Sequence, residues 1–268
     1  MTVPAPSDLS AQGVSLGYGD RRVVDALDLD VPTGEVTVIV GPNACGKSTL
    51  LRGLARLLPT AAGSVLLDGR SIHSLPGREV ARRLGILPQG PIAPDGITVT
   101  DLVGRGRHPH QGYFRRWTDA DDEAVAAALT ATGVLELADR AVDELSGGQR
   151  QRVWIAMALA QRTGILLLDE PTTYLDVSHQ VEVLDLLTDL NEAEGATVVM
   201  VLHELNLAAR YADHLVVMSR GAIVAAGAPR EVLTERLVED VFDLRCRVIP
   251  DPVSDTPLIV PIGRHRVG

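Results

Sequence analysis

The stretch that decides the fold reads Gly41-Pro42-Asn43-Ala44-Cys45-Gly46-Lys47-Ser48-Thr49 and matches the pattern G-x-x-x-x-G-K-[ST]. An apolar, β-branched run precedes it at 36–40 and a second apolar run follows at 50–58, which predicts the strand–loop–helix context of a phosphate-binding loop. Backbone N–H groups of such a loop and the positive end of the next helix surround a β-phosphate, and Lys47 reaches the β- and γ-phosphates. We therefore predict a nucleotide site in which Ser48 holds Mg²⁺; the alternative is a glycine-rich turn with a surface lysine.

Composition limits the class of protein. The chain has 268 residues, 46% hydrophobic and 22% charged, which is typical of an ordered protein with one large or two small domains. Its apolar runs are too short to cross a bilayer and its first residues lack a secretory signal, so we expect a cytosolic chain without a membrane span. Cys45 and Cys246 fit no disulfide or metal-ligand framework. A net charge of −10 argues against a nucleic-acid partner, because phosphate backbones bind basic surfaces.

Periodicity outlines the elements around the loop. Short apolar runs predict strands at 13–18, 23–24, 27–29, 63–69 and 83–89. The first of these ends at Tyr18, which on its own is either an ordinary edge aromatic or an adenine-stacking side chain, and the last ends at Gln89. Helical spacing predicts one helix over 119–132 with Thr118 as its N-cap, and a second helix that begins near Ser146.

Residues 90–118 differ from the rest of the chain. They are interrupted by glycine and proline and are rich in arginine and aromatic side chains. Rigid aromatic residues and arginines are common at interface hot spots, but a solvated surface loop fits the composition equally well. We interpret this segment as either partner-facing or an ordinary loop.

Two adjacent carboxylates end a further apolar run. Residues 165–168 are followed by Asp169 and Glu170, a pattern typical of a parallel strand that is buried on both faces. Because ligands bind at the carboxyl ends of such strands, we expect both side chains beside the phosphate loop. There Asp169 can orient Mg²⁺ and Glu170 can polarise an attacking water; otherwise the pair marks a turn or a helix start. His203 follows another apolar run, at 196–202; a lone histidine at a strand end is more often structural than catalytic.

A family resemblance rests on Leu145-Ser146-Gly147-Gly148-Gln149, upstream of the strand that ends at Asp169 and Glu170. This stretch resembles the signature of ATP-binding cassette (ABC) ATPases. The resemblance matches four further residues to family motifs: Tyr18 to the adenine-stacking A-loop, Gln89 to the Q-loop, Asp176 to the D-loop and His203 to the switch histidine. Ala44 departs from the family, which often has glycine there, and raises the question of whether the backbone can keep a negative φ.

The resemblance implies an ATP site that one chain cannot complete. In a head-to-tail homodimer, the Ser146 hydroxyl and the N–H groups of Gly147 and Gly148 would face the γ-phosphate bound by the other chain, with Gln149 beside them. Asp176 would link the two sites. The catalytic residues that the resemblance implies are Glu170, His203, Lys47 and Gln89. The Mg²⁺ ligands that it implies are Ser48, Gln89 and Asp169.

Three further stretches indicate which group of ABC ATPases the chain resembles. Residues 104–110, 171–180 and 250–257 are similar to ATPases of bacterial ferric-siderophore importers, whose near relatives serve haem and cobalamin. The family implies two ATPase subunits held peripherally on the cytoplasmic face of the inner membrane by a permease dimer. An extracytoplasmic binding protein would deliver the substrate. We expect residues 105–117 to lie near the permease contact.

The predicted fold is a single α/β ABC nucleotide-binding domain over residues 1–268. It has a RecA-like P-loop NTPase core at 1–89 and 164–228 with an N-terminal antiparallel β portion, and an inserted α-helical signature subdomain at 90–163. A helical tail at 229–268 follows, which after residue 242 becomes a short extension interrupted by prolines. Two alternatives fit less well. A soluble ABC protein of DNA repair or translation would usually carry a coiled-coil insertion or tandem cassettes. A GTPase or small-molecule kinase would lack the signature, and a GTPase would carry Asn-Lys-x-Asp.

Overall fold

The computed structural model describes residues 7–111 and 117–265. Its strands are β1 Leu9–Tyr18, β2 Arg21–Val31, β3 Val36–Val40, β4 Ala62–Leu67, β5 Arg70–Ser71, β6 Leu84–Leu87, β7 Ile165–Asp169, β8 Thr197–Val201, β9 His214–Ser219, β10 Ala222–Gly227, β11 Cys246–Pro250 and β12 Pro257–Pro261. Its α-helices are α1 Lys47–Leu54, α2 Gly77–Arg83, α3 Val99–Gly104, α4 Asp119–Ala131, α5 Gly147–Ala160, α6 Val177–Glu194, α7 Leu205–Tyr211, α8 Pro229–Val232 and α9 Glu235–Phe242.

A six-stranded sheet forms the centre, in the order β10-β9-β3-β8-β7-β6. All neighbours in it pair in parallel except β10, which pairs antiparallel with β9. Every residue of β3, β7 and β8 is buried, as expected for parallel strands covered on both faces. The carboxyl ends of these three strands lie at one edge, which brings the phosphate loop, the Asp169–Glu170 pair and His203 together.

Side chains of the central strands alternate between two hydrophobic cores. Val38 and Val40 pack into the core that contains α3, α4 and α5, whereas Ile39 packs into the core formed with α1 and the antiparallel sheet. The alternation follows from the two-residue period of a strand. The loop after β3 is therefore supported from both sides.

An antiparallel sheet in the order β2-β1-β4-β5 confirms the predicted N-terminal β portion. Its strands are longer than periodicity predicted: β1 begins at Leu9 instead of residue 13, and the two short runs at 23–24 and 27–29 belong to the single strand β2. The pairing of β1 with β2 has several register shifts, and Ala26 has a φ of 45°. Such irregularities break the two-residue alternation on which the sequence prediction depended.

The segment between Gln89 and the start of β7 forms a helical lobe of α3, a 3-10 helix at Arg105–His110, α4 and α5. Thr118 caps α4 in a capping box with Asp121, and Ser146 caps α5 in a capping box with Gln149. A buried ion pair, Arg107 Nε to Asp121 Oδ1 at 2.9 Å, fastens the 3-10 helix to the start of α4. Both predicted helix starts agree with these caps. Of the segment 90–118, residues 112–116 lie outside the described part of the chain.

The predicted helical tail is helical only through α8 and α9. Asp243 ends α9 in the left-handed conformation, and the next residues form the hairpin of β11 and β12. Asn206 on α7 holds this hairpin, since its Nδ2 donates to the Ile259 carbonyl at 3.2 Å and its Oδ1 accepts from the Ile259 N–H at 2.7 Å. The tail at 229–268 was predicted to be helical and then to become a proline-punctuated extension; the structure shows that this extension is a β-hairpin, because β-branched residues and prolines there favour extended backbone.

Candidate nucleotide site

The phosphate loop takes the shape that its glycines allow. Gly41 has a φ of 157°, and a Cβ there would lie 2.2 Å from the Met218 carbonyl oxygen. Gly46 has a φ of 111° and forms the N-cap of α1 without any side-chain hydrogen bond to the helix. The first N–H groups of α1 are therefore available to an anion.

Lys47 is held inside this loop. The residue is only 5% exposed, and its Nζ donates to the carbonyl oxygens of Gly41 at 2.7 Å and Pro42 at 3.0 Å. A buried ammonium needs such partners, since its desolvation is otherwise costly. The loop thus presents a fixed positive charge beside the N-terminus of α1.

The backbone at Ala44 is in the left-handed conformation. Its φ is 61°, so the negative φ that the sequence analysis asked about is not kept at this position. Left-handed backbone costs an L-residue other than glycine about 1–2 kcal/mol. The surrounding loop imposes the conformation, with the Gly221 N–H donating to the Cys45 carbonyl at 2.9 Å.

Ser48 and Asp169 form a site that fits Mg²⁺. The Ser48 hydroxyl donates to Asp169 Oδ1 at 2.8 Å, and Asp169 Oδ2 is buried without a hydrogen-bond partner. Burial raises the pKa of Asp169 above its ordinary value; the nearby Glu170 charge also raises it, while the bond from Ser48 lowers it. An unpaired buried carboxylate oxygen beside a hydroxyl is a donor set that a hard divalent cation prefers.

Glu170 is the most connected polar side chain of the site. It accepts from Gln89 Nε2 at 2.8 Å and from Thr173 Oγ1 at 3.2 Å on one oxygen, and its other oxygen lies 2.5 Å from His203 Nε2. Its backbone φ is 56°, a strained value of the kind that clusters at active sites. Gln89, predicted as a metal ligand, thus has its amide on Glu170, while its backbone N–H contacts Asp169.

A cleft of about 630 Å³ joins these groups. It is lined by Tyr18, Arg21, Val23, Asn43, Ala44, Cys45, Gly46, Lys47, Ser48, Thr49, Gln89, Glu170 and His203. Tyr18 is 45% exposed at one end, and its hydroxyl accepts from Arg52 Nη1 at 3.1 Å. An exposed ring anchored at its hydroxyl is suited to stacking on a base. The sequence analysis did not identify Thr173, Arg52, Arg21 or Val23 as site residues. Only Thr173 had a signal in the sequence, a hydroxyl three residues after Glu170.

The signature residues Ser146–Gln149 do not line this cleft. The Ser146 hydroxyl accepts from the Gln149 N–H at 3.3 Å, and Gln149 Oε1 accepts from the Ser146 N–H at 3.1 Å, so the pair closes the N-terminus of α5. Tyr174, 85% exposed, lies beside Gly147: a Cβ on that glycine would be 3.8 Å from the Tyr174 Cβ. The start of α5 therefore presents a small, backbone-rich surface to solvent.

Asp176 also lies outside the cleft. It caps α6, accepting from the His179 N–H at 3.0 Å, the Ser178 hydroxyl at 2.9 Å and His179 Nδ1 at 2.6 Å. These hydrogen bonds, led by that of the His179 backbone, lower the pKa of Asp176. The structure thus brings Tyr18, the phosphate loop, Gln89, Asp169, Glu170 and His203 together, and leaves Ser146–Gln149 and Asp176 apart from them.

Comparison with known proteins decides the family. The family model described as "ABC transporter" matches residues 24–173, more than half of the chain. The chain belongs to the ABC transporter family. ABC ATPases of this kind bind ATP and hydrolyse it to power transport, which confirms the predicted family and enzyme class.

Two curated relatives match this ABC chain over nearly its full length. The "Probable siderophore transport system ATP-binding protein YusV" of Bacillus subtilis (strain 168) is 58% identical over 97% of this chain and 94% of its own. The "Ferric enterobactin transport ATP-binding protein FepC" of Escherichia coli (strain K12) is 55% identical over 96% of this chain and 94% of its own. Both names describe ATP-binding proteins of siderophore transport.

Two solved structures confirm the ABC ATPase fold with its RecA-like core. An inward-facing conformation of an ABC transporter superposes with a TM-score of 0.81 at 29% identity, covering 96% of this chain and 98% of the other. A dimeric structure of a bacterial ABC transporter cassette superposes with a TM-score of 0.74 at 27% identity, covering 82% and 98%. Within residues 7–111 and 117–265, no helix of this ABC chain has the length and apolar character needed to span a membrane.

Proposed function

We propose that this ABC chain hydrolyses ATP to drive import of a ferric siderophore through a partner membrane permease. The observation that carries the proposal is Glu170, which lies at the end of β7 beside the phosphate loop and is held by Gln89, Thr173 and His203. A carboxylate held in this way next to an anion-binding loop is suited to activate water against a bound phosphoryl group. The names of the two siderophore-transport relatives support the substrate class.

The chain's own residues divide the work of hydrolysis. Lys47 would exchange the Gly41 and Pro42 carbonyls for phosphate oxygens, and Glu170 would accept the proton of the attacking water with His203 orienting it. Ser48 and Asp169 would hold Mg²⁺, with Gln89 nearby. When bound, the cation neutralises charge on the phosphates.

Two copies of the chain would share each ATP. The capped N-terminus of α5, with Ser146, Gly147 and Gly148, lies outside its own cleft and presents N–H groups that fit a γ-phosphate on another chain. A head-to-tail homodimer places it there and puts Asp176 between the two sites. The dimeric ABC cassette among the similar structures supports this arrangement.

A permease dimer would hold these two subunits peripherally on the cytoplasmic face of the inner membrane, and a separate binding protein would deliver the siderophore. The segment after Gln89 is the proposed contact, and Ile92 in it is almost fully exposed. The part of the predicted contact at 112–116 lies outside the described residues. No contact with nucleic acid belongs to this proposal, given the net charge of −10.

Uptake of labelled substrates tests the proposal. In a strain that lacks the native ATPase, the wild-type chain should restore uptake of a ferric siderophore, and Glu170→Gln should not. If only haem or cobalamin uptake were restored, the chain would serve import of that compound instead of a ferric siderophore. Restoration of none, together with a wild-type chain that stays off the membrane whether or not a permease is present, would favour a soluble ABC ATPase instead.

A further inference from the structure

A second cleft, of about 190 Å³, lies between three helices and apart from the nucleotide cleft. Two of these helices, α4 and α5, belong to the helical lobe, whereas α6 follows β7 of the core. We call this space the interhelical cleft. It is lined by residues 131–133 at the end of α4, by Arg152 and Ile155 of α5, and by Glu182, Val183 and Leu186 of α6.

Arg152 lies in the interhelical cleft without a bonding partner. The residue is half-buried, and its Nε is fully buried with no hydrogen-bond acceptor. A Cβ placed on Gly133, just after α4, would lie 3.6 Å from its Nη1. Because a buried donor without an acceptor is costly, this guanidinium needs an explanation.

Glu182 is the acid on the opposite wall of the interhelical cleft. Among the residues that the structure describes, neither a hydrogen bond nor an ion pair holds the Glu182 carboxylate, and Arg152 has no ion pair either. Ile155 and Val183, both buried, form apolar walls between them. Opposite charges attract each other more strongly beside such walls than in open water, yet these two do not meet.

The two charged residues occupy equivalent places on their helices. Arg152 lies six residues after Ser146, the N-cap of α5, and Glu182 lies six residues after Asp176, the N-cap of α6. At a rise of about 1.5 Å per residue, each lies about 9 Å along its helix from the cap. Both caps belong to the surface that the proposed homodimer turns towards the other chain.

The start of α5 already contacts the loop that leads into α6. Gln151 Nε2 donates to the Pro171 carbonyl oxygen at 2.9 Å, and a Cβ on Gly148 would lie 3.3 Å from Leu175 Cδ2. The interhelical cleft opens beyond these contacts. A change in the angle between α5 and α6 can therefore bring the two charges together, with these contacts as the pivot.

We propose that Arg152 and Glu182 are positioning residues for ATP hydrolysis and that an ion pair forms between them when two chains close on ATP. The pair ties α5 to α6 and thereby fixes Ser146 to Gly148 relative to Asp176. This inference rests on the proposed shared site and adds the residues that hold its two cross-chain elements in register. Neither residue lines the nucleotide cleft, so both act through the starts of their helices.

A purely structural role of Arg152 would be confined to α4. The guanidinium lies near the C-terminus of that helix, where the helix dipole favours a cation. That role does not involve Glu182. Substitutions of Glu182 therefore distinguish it from the proposed ion pair.

Formation of the ATP-bound dimer tests the ion pair. The parent is the Glu170→Gln chain, which should dimerise with ATP and hydrolyse little of it. Adding Glu182→Arg should raise the dissociation constant of the ATP-bound dimer, measured by sedimentation, roughly tenfold, as expected when one partner of a coupled charge pair is reversed. Adding Arg152→Glu should have a similar effect, whereas Arg152→Glu together with Glu182→Arg should regain most of the parent's affinity.

Two further measurements make the result specific. Asp189→Arg reverses an exposed acid on the same face of α6, about two turns beyond Glu182 and outside the interhelical cleft, and should dimerise as the parent does. In chains that keep Glu170, Glu182→Arg should lower the ATPase rate but not the ATP affinity of the single chain, since its phosphate loop is intact. Arg152→Lys keeps the charge and should retain most of the rate.

Two results would overturn the inference while the parent's ATP-dependent dimer, and with it the shared site, stands. The first is dimerisation of the Glu182→Arg chain with the parent's affinity. The second is a folded charge-swapped chain that dimerises no better than Arg152→Glu, which would confine Arg152 to α4. A parent that stays monomeric with ATP would instead refute the shared site itself, and the positioning role with it.

Discussion

Several single residues of the nucleotide site have a strained backbone or a buried charge, both of which lower the stability of the fold. Ala44 and Glu170 both have positive φ, and Asp169 is a buried carboxylate with one unpaired oxygen. Such features persist where the surrounding structure over-determines them, and they cluster at functional sites. Ala44 and Asp169 allow these costs to be measured as changes in stability.

Replacing Ala44 with glycine should stabilise the protein. Glycine adopts a φ of 61° without strain, and this gain exceeds its greater entropy in the unfolded chain, for a net increase of about 0.5–1 kcal/mol in the free energy of unfolding. Thermal and urea unfolding measure the change. Ala127→Gly, on the exposed side of α4, is the matched control and should destabilise by about 1 kcal/mol. Equal destabilisation by both variants would refute the strain at Ala44.

Asp169→Asn should raise the free energy of unfolding of the metal-free chain at neutral pH. Burial raises the folded-state pKa of Asp169, so the charged form destabilises the fold, and wild-type stability falls as pH rises through that pKa. The advantage of the variant should therefore shrink as pH is lowered towards the ordinary carboxylate value. Denaturant unfolding across pH measures it, and added Mg²⁺ with ATP should stabilise the wild type more than the variant. A variant less stable than the wild type at neutral pH would contradict this account.

At the scale of elements, caps and glycines determine where the helices of the site begin. Ser146 and Thr118 each close a capping box, whereas Gly46 leaves the start of α1 without a side-chain cap. In α5 the cap uses the Gln149 N–H and leaves those of Gly147 and Gly148 open, whereas the uncapped start of α1 leaves its first N–H groups available to a phosphate of its own cleft.

The C-terminal hairpin depends on one side chain of α7. Asn206→Ala removes both hydrogen bonds to Ile259, each worth about 1 kcal/mol, so the amides of β11 and β12 should exchange with solvent faster. Hydrogen exchange measures this, with the amides of β3 as internal control. The ATPase rate should not change, because Asn206 does not line the nucleotide cleft. Unchanged exchange in β11 and β12 would show that other contacts hold the hairpin.

The local sequence pattern predicted most residues of the nucleotide site, but not the contacts among their side chains or the C-terminal hairpin. The phosphate loop, the Asp169–Glu170 pair and His203 follow buried parallel strands, and a parallel sheet forces such strand ends together; this could be predicted from the sequence. The contact of Gln89 and Thr173 with Glu170 could not, since it depends on side-chain direction across two loops. The hairpin after Asp243 was missed because α9 ends through backbone conformation at an aspartate, without a glycine to signal it.

At the scale of the whole molecule, the proposal requires two chains for each site. Glu170→Gln and Ser146→Arg chains should each be inactive alone but regain ATPase activity when mixed, because the mixed pair contains one site with Glu170 from one chain and Ser146 from the other. Each variant alone should still bind ATP, since its phosphate loop is intact. No activity after mixing, with both variants folded and binding ATP, would argue against the shared site.

The most direct test of the central claim is the steady-state ATPase rate of Glu170→Gln, measured beside its ATP affinity. If Glu170 activates the attacking water, the rate should fall by about a hundredfold or more while ATP binding is retained and ATP stabilises a dimer. A normal hydrolysis rate in this variant would contradict the assignment of Glu170, and with it the proposed mechanism.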